Sequence, residues 1–257
     1  MRQLETRHIL LFRVLRDHCS FLTRRQIQRV LTLTTSGTTK SLHWLMSEHY
    51  LERRYRVDSF QHFQTPVYYL GELGWRVAGQ PASLYKRHRL QVEQRPERQI
   101  EHMLATYDVF LKFILEADVR RLIGSEDRLW KEAIDFGNVP DGWVQFDGGE
   151  AFIEVDRGTE RPIVLRKKFE KYASFSGSGG YQRLFPQCGF KVLVITTTET
   201  RIEVLERLVT SDDIWLCSMK DFLIHPLDHE HWFALRGFYA LPVVPKKEVQ
   251  ELQEALS

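Results

Sequence analysis

Three acidic residues stand where a β-sheet ordinarily takes apolar ones. Between Val139 and Pro162 the chain reads VPDGWVQFDGGEAFIEVDRGTERP, with Glu154 and Asp156 on an apolar strand and Asp141 just before its partner strand GWVQF. Asp147-Gly148-Gly149 is a tight-turn signal joining the two strands. A turn centred on Gly148 and Gly149 sets Trp143 opposite Glu154 and Asp141 opposite Asp156. Strand side chains alternate with period 2, so Asp141, Glu154 and Asp156 then share one face, with Ile153 and Val155 on the other. Clustered carboxylates raise one another's pKa unless a cation neutralises them. Mg²⁺ or Mn²⁺ suits such an oxygen-rich group and can activate water for phosphodiester chemistry. Two quieter readings stay open: an Asp156–Arg157 ion pair at the turn edge, and Glu154 hydrogen-bonded to a neighbouring helix.

The following helix, VLRKKFEKYASF, supplies cations at Lys167, Lys168 and Lys171. His225, His229 and His231 in HPLDHEHWF contain a His-x-His pair of the kind that holds a metal beside a tyrosine nucleophile. Glu230 stands between those histidines and no tyrosine is singled out, so a polar loop is the simpler reading. The glycine-rich stretch Ser174 to Phe185 lacks the Gly-Lys-Ser/Thr ending of a phosphate loop and reads as a mobile loop. Tyr172, Phe175 and Tyr181 could stack on bases, although core packing is the commoner role at that spacing.

Other elements must position these groups. The apolar run FKVLVITT reads as a central strand, ETRIEVLERLV as a helix covering the sheet, and DIWLCSM as a further strand. ERQIEHMLATYDVFLKFILEA, with Ile100, Met103, Leu104, Tyr107, Phe110, Leu111 and Ile114, is a helix that must be buried. The tail KKEVQELQEAL reads as a short amphipathic helix, docked on its own chain or offered to a partner.

Upstream, Ile9, Leu10, Leu11, Val14 and Leu15 mark one face of a first helix, and Thr23 is an N-cap for a second, RRQIQRVL. A third helix carries Leu42, Leu45, Met46 and Tyr50 on one stripe, leaving Thr38, Thr39, Lys40, His43 and Ser47 on its other sides. Two strands follow around a polar tip, with Arg53, Arg54 and Arg56 on the first. Three helices and a hairpin form the winged-helix pattern. The third helix would read the major groove of double-stranded DNA, contacting it through Thr38, Lys40 and His43, while Arg53, Arg54 and Arg56 touch phosphates. Pro96 marks the boundary, giving a winged-helix domain over 1–95 and an α/β domain over 96–257.

Charge follows the same division. Residues 1–100 hold 17 Lys and Arg against 8 Asp and Glu, and the remainder 19 against 26, behind a net charge of +2. A basic half of this kind gathers polyanions. A hydrophobic content of 43% supports a real core. No apolar run reaches the roughly 18 residues of a membrane span, and the first residues lack the pattern of a secretory leader. Three scattered cysteines, Cys19, Cys188 and Cys217, suggest no disulfide framework, so a reducing cytoplasm is expected.

Pro140-Asp141, a hairpin, Glu154-Val155-Asp156, a helix and a buried strand together resemble the PD-(D/E)XK nuclease core. Asp156 stands where that pattern has its lysine, and Lys168 on the next helix is the candidate for a migrated one. Glu154-Val155-Asp156-Arg157-Gly158-Thr159-Glu160 with Lys168-Phe169-Glu170-Lys171-Tyr172, behind a winged helix, resembles the replication-relaxation family of plasmid and mobile-element proteins. The resemblance implies a DNA-binding role in replication or mobilisation. An enzymatic version adds metal-dependent nicking, with Asp141, Glu154 and Asp156 binding Mg²⁺ or Mn²⁺ and Lys168 stabilising the scissile phosphate. The competing version keeps an inactive nuclease fold as a DNA-binding factor or a protein-interaction adaptor, alone or as a homodimer.

Overall fold

The computed structural model describes residues 3–57, 64–132, 137–147, 149–185, 190–234 and 237–242. The chain forms two compact units, Met1–Leu111 and Lys112–Ser257, with the division inside one long helix.

The first unit opens with helix α1 (Thr6–Asp17), strand β1 (Leu22–Thr23), α2 (Arg24–Leu31) and α3 (Thr35–Ser47). Thr23 and Gln26 form a capping box at the start of α2, satisfying backbone donors that the first turn leaves over. Thr32 then takes a left-handed conformation, φ 50°, and Thr34 caps α3 by accepting the Gly37 N–H at 3.2 Å. This short turn sets α2 and α3 against α1, where the buried His8 ring meets the Ser41 hydroxyl at 3.2 Å. Strands β2 (Leu51–Val57) and β3 (Gln64–Leu70) pair antiparallel, and β1 adds to β3, giving the order β1-β3-β2. The polar tip between β2 and β3 falls on residues 58–63, outside the described residues. Helices α4 (Glu72–Val77), α5 (Ala82–Glu93) and α6 (Glu97–Glu116) follow. Ile100, Leu104, Tyr107, Phe110 and Leu111 of α6 are buried, as its apolar pattern requires.

In the second unit the elements run β4 (Val119–Gly124), α7 (Leu129–Glu132), β5 (Gly142–Phe146), β6 (Gly149–Asp156), α8 (Pro162–Gly177), α9 (Gly180–Leu184), β7 (Val192–Thr196) and α10 (Glu199–Glu206). They end with β8 (Ile214–Ser218), α11 (Met219–Ile224), β9 (Trp232–Ala234) and β10 (Gly237–Tyr239). The sheet has seven strands in the order β10-β9-β8-β7-β6-β5-β4, parallel across β6-β7-β8 and antiparallel on both flanks. A parallel centre is buried on both sides, so β7 and β8 are apolar almost throughout, while β6 is buried along nearly its whole length although it carries Glu150, Glu154 and Asp156. One face packs Phe152, Val192, Val194, Ile214 and Leu216 against Phe169, Tyr172 and Phe175 of α8 and Leu205 of α10.

The β5–β6 register differs from the sequence expectation by two residues. Trp143 lies opposite Phe152, and Phe146 pairs with Gly149, so Asp147 and Gly148 make the connection. Asp-Gly favours the tight two-residue hairpin, which explains the shift; Gly148 itself lies outside the described residues. Because the shift is even, every side chain keeps its face. Asp141 therefore adjoins Glu154 instead of Asp156, and its Oδ2 accepts the Val155 N–H at 2.7 Å.

The glycine-rich stretch, expected to be a loop, is mostly helical: it holds the end of α8, a turn with Gly179 at φ +70°, and α9. Tyr172, Phe175 and Tyr181 are buried in the aromatic core, which removes them from stacking on bases. The C-terminal tail helix lies outside the described residues, as does Cys188; Cys19 and Cys217 are buried and free. No helix among the described residues is long and apolar enough to cross a membrane.

Candidate functional site

Glu154 and Asp156 sit on the face of β6 that meets α8 and α10, and both are almost fully buried. Each has its own set of partners. The Lys168 ammonium, about one α8 turn after Leu165, donates to Glu154 Oε2 at 2.5 Å. Glu154 Oε1 accepts the Tyr172 hydroxyl and, at 3.4 Å, the Asn138 amide. Lys168 and Tyr172 are four residues apart, so one helical face presents both to the same carboxylate. Burial pushes the Glu154 carboxyl up to about 7; Lys168 opposes that shift and the charge of Asp141 adds to it. Burial disfavours the Lys168 ammonium, yet Glu154, Asp141 and Glu160 together raise its pKa. Burial raises the Tyr172 phenol well above its ordinary range, so it acts as a donor.

Asp156 pairs with Arg201 of α10. Arg201 Nε donates to Oδ2 at 2.6 Å and a terminal nitrogen to Oδ1 at 3.4 Å; the latter nitrogen also reaches the Glu160 carbonyl at 2.7 Å. The Thr196 hydroxyl, in register on β7, donates to Oδ2 at 3.3 Å, and the Gly158 N–H to Oδ1 at 2.9 Å.

The sequence thus brings Asp141, Glu154 and Lys168 to one place but leaves Asp156 in a separate pair. Among the described residues no group of three or more His, Cys, Asp or Glu side chains is arranged to hold a metal ion. Magnesium needs several open oxygen positions at about 2.0–2.1 Å, whereas here protein donors occupy both Glu154 oxygens and both Asp156 oxygens. The carboxylates as arranged do not fit a divalent metal. Asn138 and Arg201 are the site residues that sequence reasoning passed over, and Tyr172 was read there for stacking or core packing and not as a partner of Glu154. Tyr172 had a helical signal, i+4 from Lys168, but Arg201 is 45 residues from Asp156 and only the β6–β7 register joins them.

In the first unit Lys40 and His43 are exposed on α3 with Ser36 and Ser47, a stripe at helical spacing opposite the buried Leu42 and Leu45. Thr38, expected on the outward side, is buried, and its hydroxyl donates to the Thr34 carbonyl at 2.9 Å. Arg53 is exposed, its guanidinium 4.8 Å from the Tyr55 ring centre. Arg54 and Arg56 are not outward phosphate contacts. Arg54 donates to the Val92 and Arg95 carbonyls at 2.7 and 2.8 Å and pairs with Glu97 at 2.5 Å. Arg56 pairs with Glu97 at 3.4 Å and Glu101 at 3.5 Å. Strand alternation turns both toward the α5–α6 corner, a placement that a run of arginines does not reveal.

The three histidines cluster, with His225 and His229 rings 4.4 Å apart and His231 about 6 Å from each. His231 is buried, and burial followed by its histidine neighbours pushes its pKa down to about 4. These nearly stacked rings do not form a metal-holding group.

Residues 12–188, more than half of the chain, match the family model described as replication-relaxation, and the chain belongs to that family. Membership points to a role in replication or mobilisation. Comparison with curated proteins and with solved structures returned no match.

Proposed function

We propose that the protein is a DNA-binding factor of plasmid or mobile-element replication or mobilisation. In this reading the first unit is a winged helix: α3 enters the major groove and β2–β3 is the wing. The observation that carries it is the exposed stripe Ser36, Lys40, His43 and Ser47 on a helix held from behind by α1 and α2. Family membership supports the setting. Lys40 and Arg53 take phosphates, while His43 and Ser47 lie where base edges are read. The second unit, read as a PD-(D/E)XK-like fold, serves this protein as a binding scaffold.

Binding of a labelled duplex tests the proposal. Lys40→Glu with His43→Ala should weaken affinity at least tenfold, and unchanged affinity would remove α3 as the reading helix. The alternative is metal-dependent nicking, against which the donors on both Glu154 oxygens weigh. Supercoiled plasmid incubated with Mg²⁺ or Mn²⁺ decides it: nicking by the wild type and none by Glu154→Ala would make the protein a nuclease.

A further inference from the structure

We infer that Lys168 is the built-in cation of the Asp141–Glu154 carboxylates, filling the place a divalent metal would take, so that the native site binds no such ion. The inference goes beyond the proposed DNA-binding role and does not depend on it.

Three observations carry it. First, the ammonium contacts Glu154 Oε2 directly at 2.5 Å, and the charge of Asp141 acts on both members of that pair. One cation therefore answers two carboxylates. Second, Glu154 is held from every side by donors: Lys168 on one oxygen, Tyr172 and Asn138 on the other. A metal entering here would have to displace an ammonium whose side chain is 19% exposed beside a carboxylate that is 5% exposed. The exchange would break a largely buried ion pair, which opposes it. Third, the same solution recurs one pair further along the strand, where Arg201 neutralises Asp156. Glu154 and Asp156 of β6 each receive a cation from a different helix, α8 for Glu154 and α10 for Asp156. These two acids thus serve as sockets that seat two helices.

A specific consequence follows for a chain deprived of that cation. Lys168→Met keeps the length and apolar stem of the side chain but removes the charge, leaving Asp141 and Glu154 facing each other. At pH 8 such a pair should recruit a cation from solution.

Mn²⁺ binding to the full chain at pH 8, followed by paramagnetic resonance and calorimetry, tests this. Wild type should show no one-to-one site below about 1 mM. Lys168→Met should gain one site at least tenfold tighter, and adding Glu154→Gln should abolish it. A wild-type site that disappears with Glu154→Gln would overturn the inference. So would a folded Lys168→Met that gains no Mn²⁺, or a gained site that survives Glu154→Gln. If Lys168→Met does not fold, the wild-type ammonium resonance decides: a Lys168 signal unchanged by 5 mM Mg²⁺ (on the order of a physiological excess) supports it, and displacement of that signal overturns it. Duplex binding by the same wild-type sample reports separately on the DNA-binding proposal.

Discussion

Glu154 holds its proton in the folded protein to a higher pH than a free carboxyl does, because burial outweighs the attraction of Lys168. The sign of its effect on stability follows directly. The unfolded chain releases this proton near pH 4.5 and the folded chain near 7. The contribution of Glu154 is therefore fully present below about pH 4.5 and is lost as pH rises to about 7. Urea denaturation of wild type and Glu154→Gln between pH 4 and 8 should show the difference shifting against the wild type as pH rises. A difference that shifts in its favour would mean that the ion pair dominates burial. Asp156 poses the complementary problem, since its side chain is 1% exposed and leans on Arg201. Arg201→Met should cost about 3–5 kcal/mol in the same experiment, because it strands a buried charge. A loss under about 1 kcal/mol would show that Thr196 and the Gly158 N–H suffice.

At the scale of elements, the hairpin β2–β3 divides its arginines between two tasks. Arg53 looks outward, and Arg53→Glu should weaken duplex binding while leaving thermal stability unchanged. Arg54 bridges the end of α5 to the start of α6 through two carbonyls and Glu97. Arg54→Ala should cost about 2 kcal/mol of stability and affect DNA binding only in proportion to unfolding. Paired thermal melts and binding isotherms of the two variants separate these roles. Helices α2 and α3 and strands β5 to β8 were legible in the sequence because their periodicities and caps are strong. Strand β4, VRRLIG, was not, since its two exposed arginines at the sheet edge break the apolar pattern. The Glu154–Lys168 pair was within reach because its members lie on adjacent elements. The Asp156–Arg201 pair and the inward turn of Arg54 were not, because both depend on register and packing between elements distant in the chain.

For the whole molecule, charge counted along the chain overstates what a polyanion can meet. Arg29, Arg54, Arg56 and Arg89 are all engaged by acids of their own unit. Of the exposed basic residues, Arg24, Arg25, Lys40 and Arg53 lie on α2, α3 and β2, the elements of the proposed DNA face. Four phosphate contacts predict a slope of about −4 in a plot of log affinity against log salt concentration. If all 17 basic residues of the first hundred took part, the slope would be about −15. Titration of a duplex between 50 and 200 mM salt (roughly the range over which such slopes are read) distinguishes the two.

The crossover from β6 through α8 to β7 has a kinetic side. Strands β4, β5 and β6 follow one another and can pair by local closure, whereas β6 meets β7 only after the intervening helices are in place. Glu154–Lys168 closes across the first step of that passage and Asp156–Arg201 across the second, 14 and 45 residues apart. On that order of assembly the second pair is expected to form after the rate-limiting barrier, so losing it should quicken unfolding and leave the refolding rate nearly untouched. Arg201 is in that sense a latch on the lifetime of the native state.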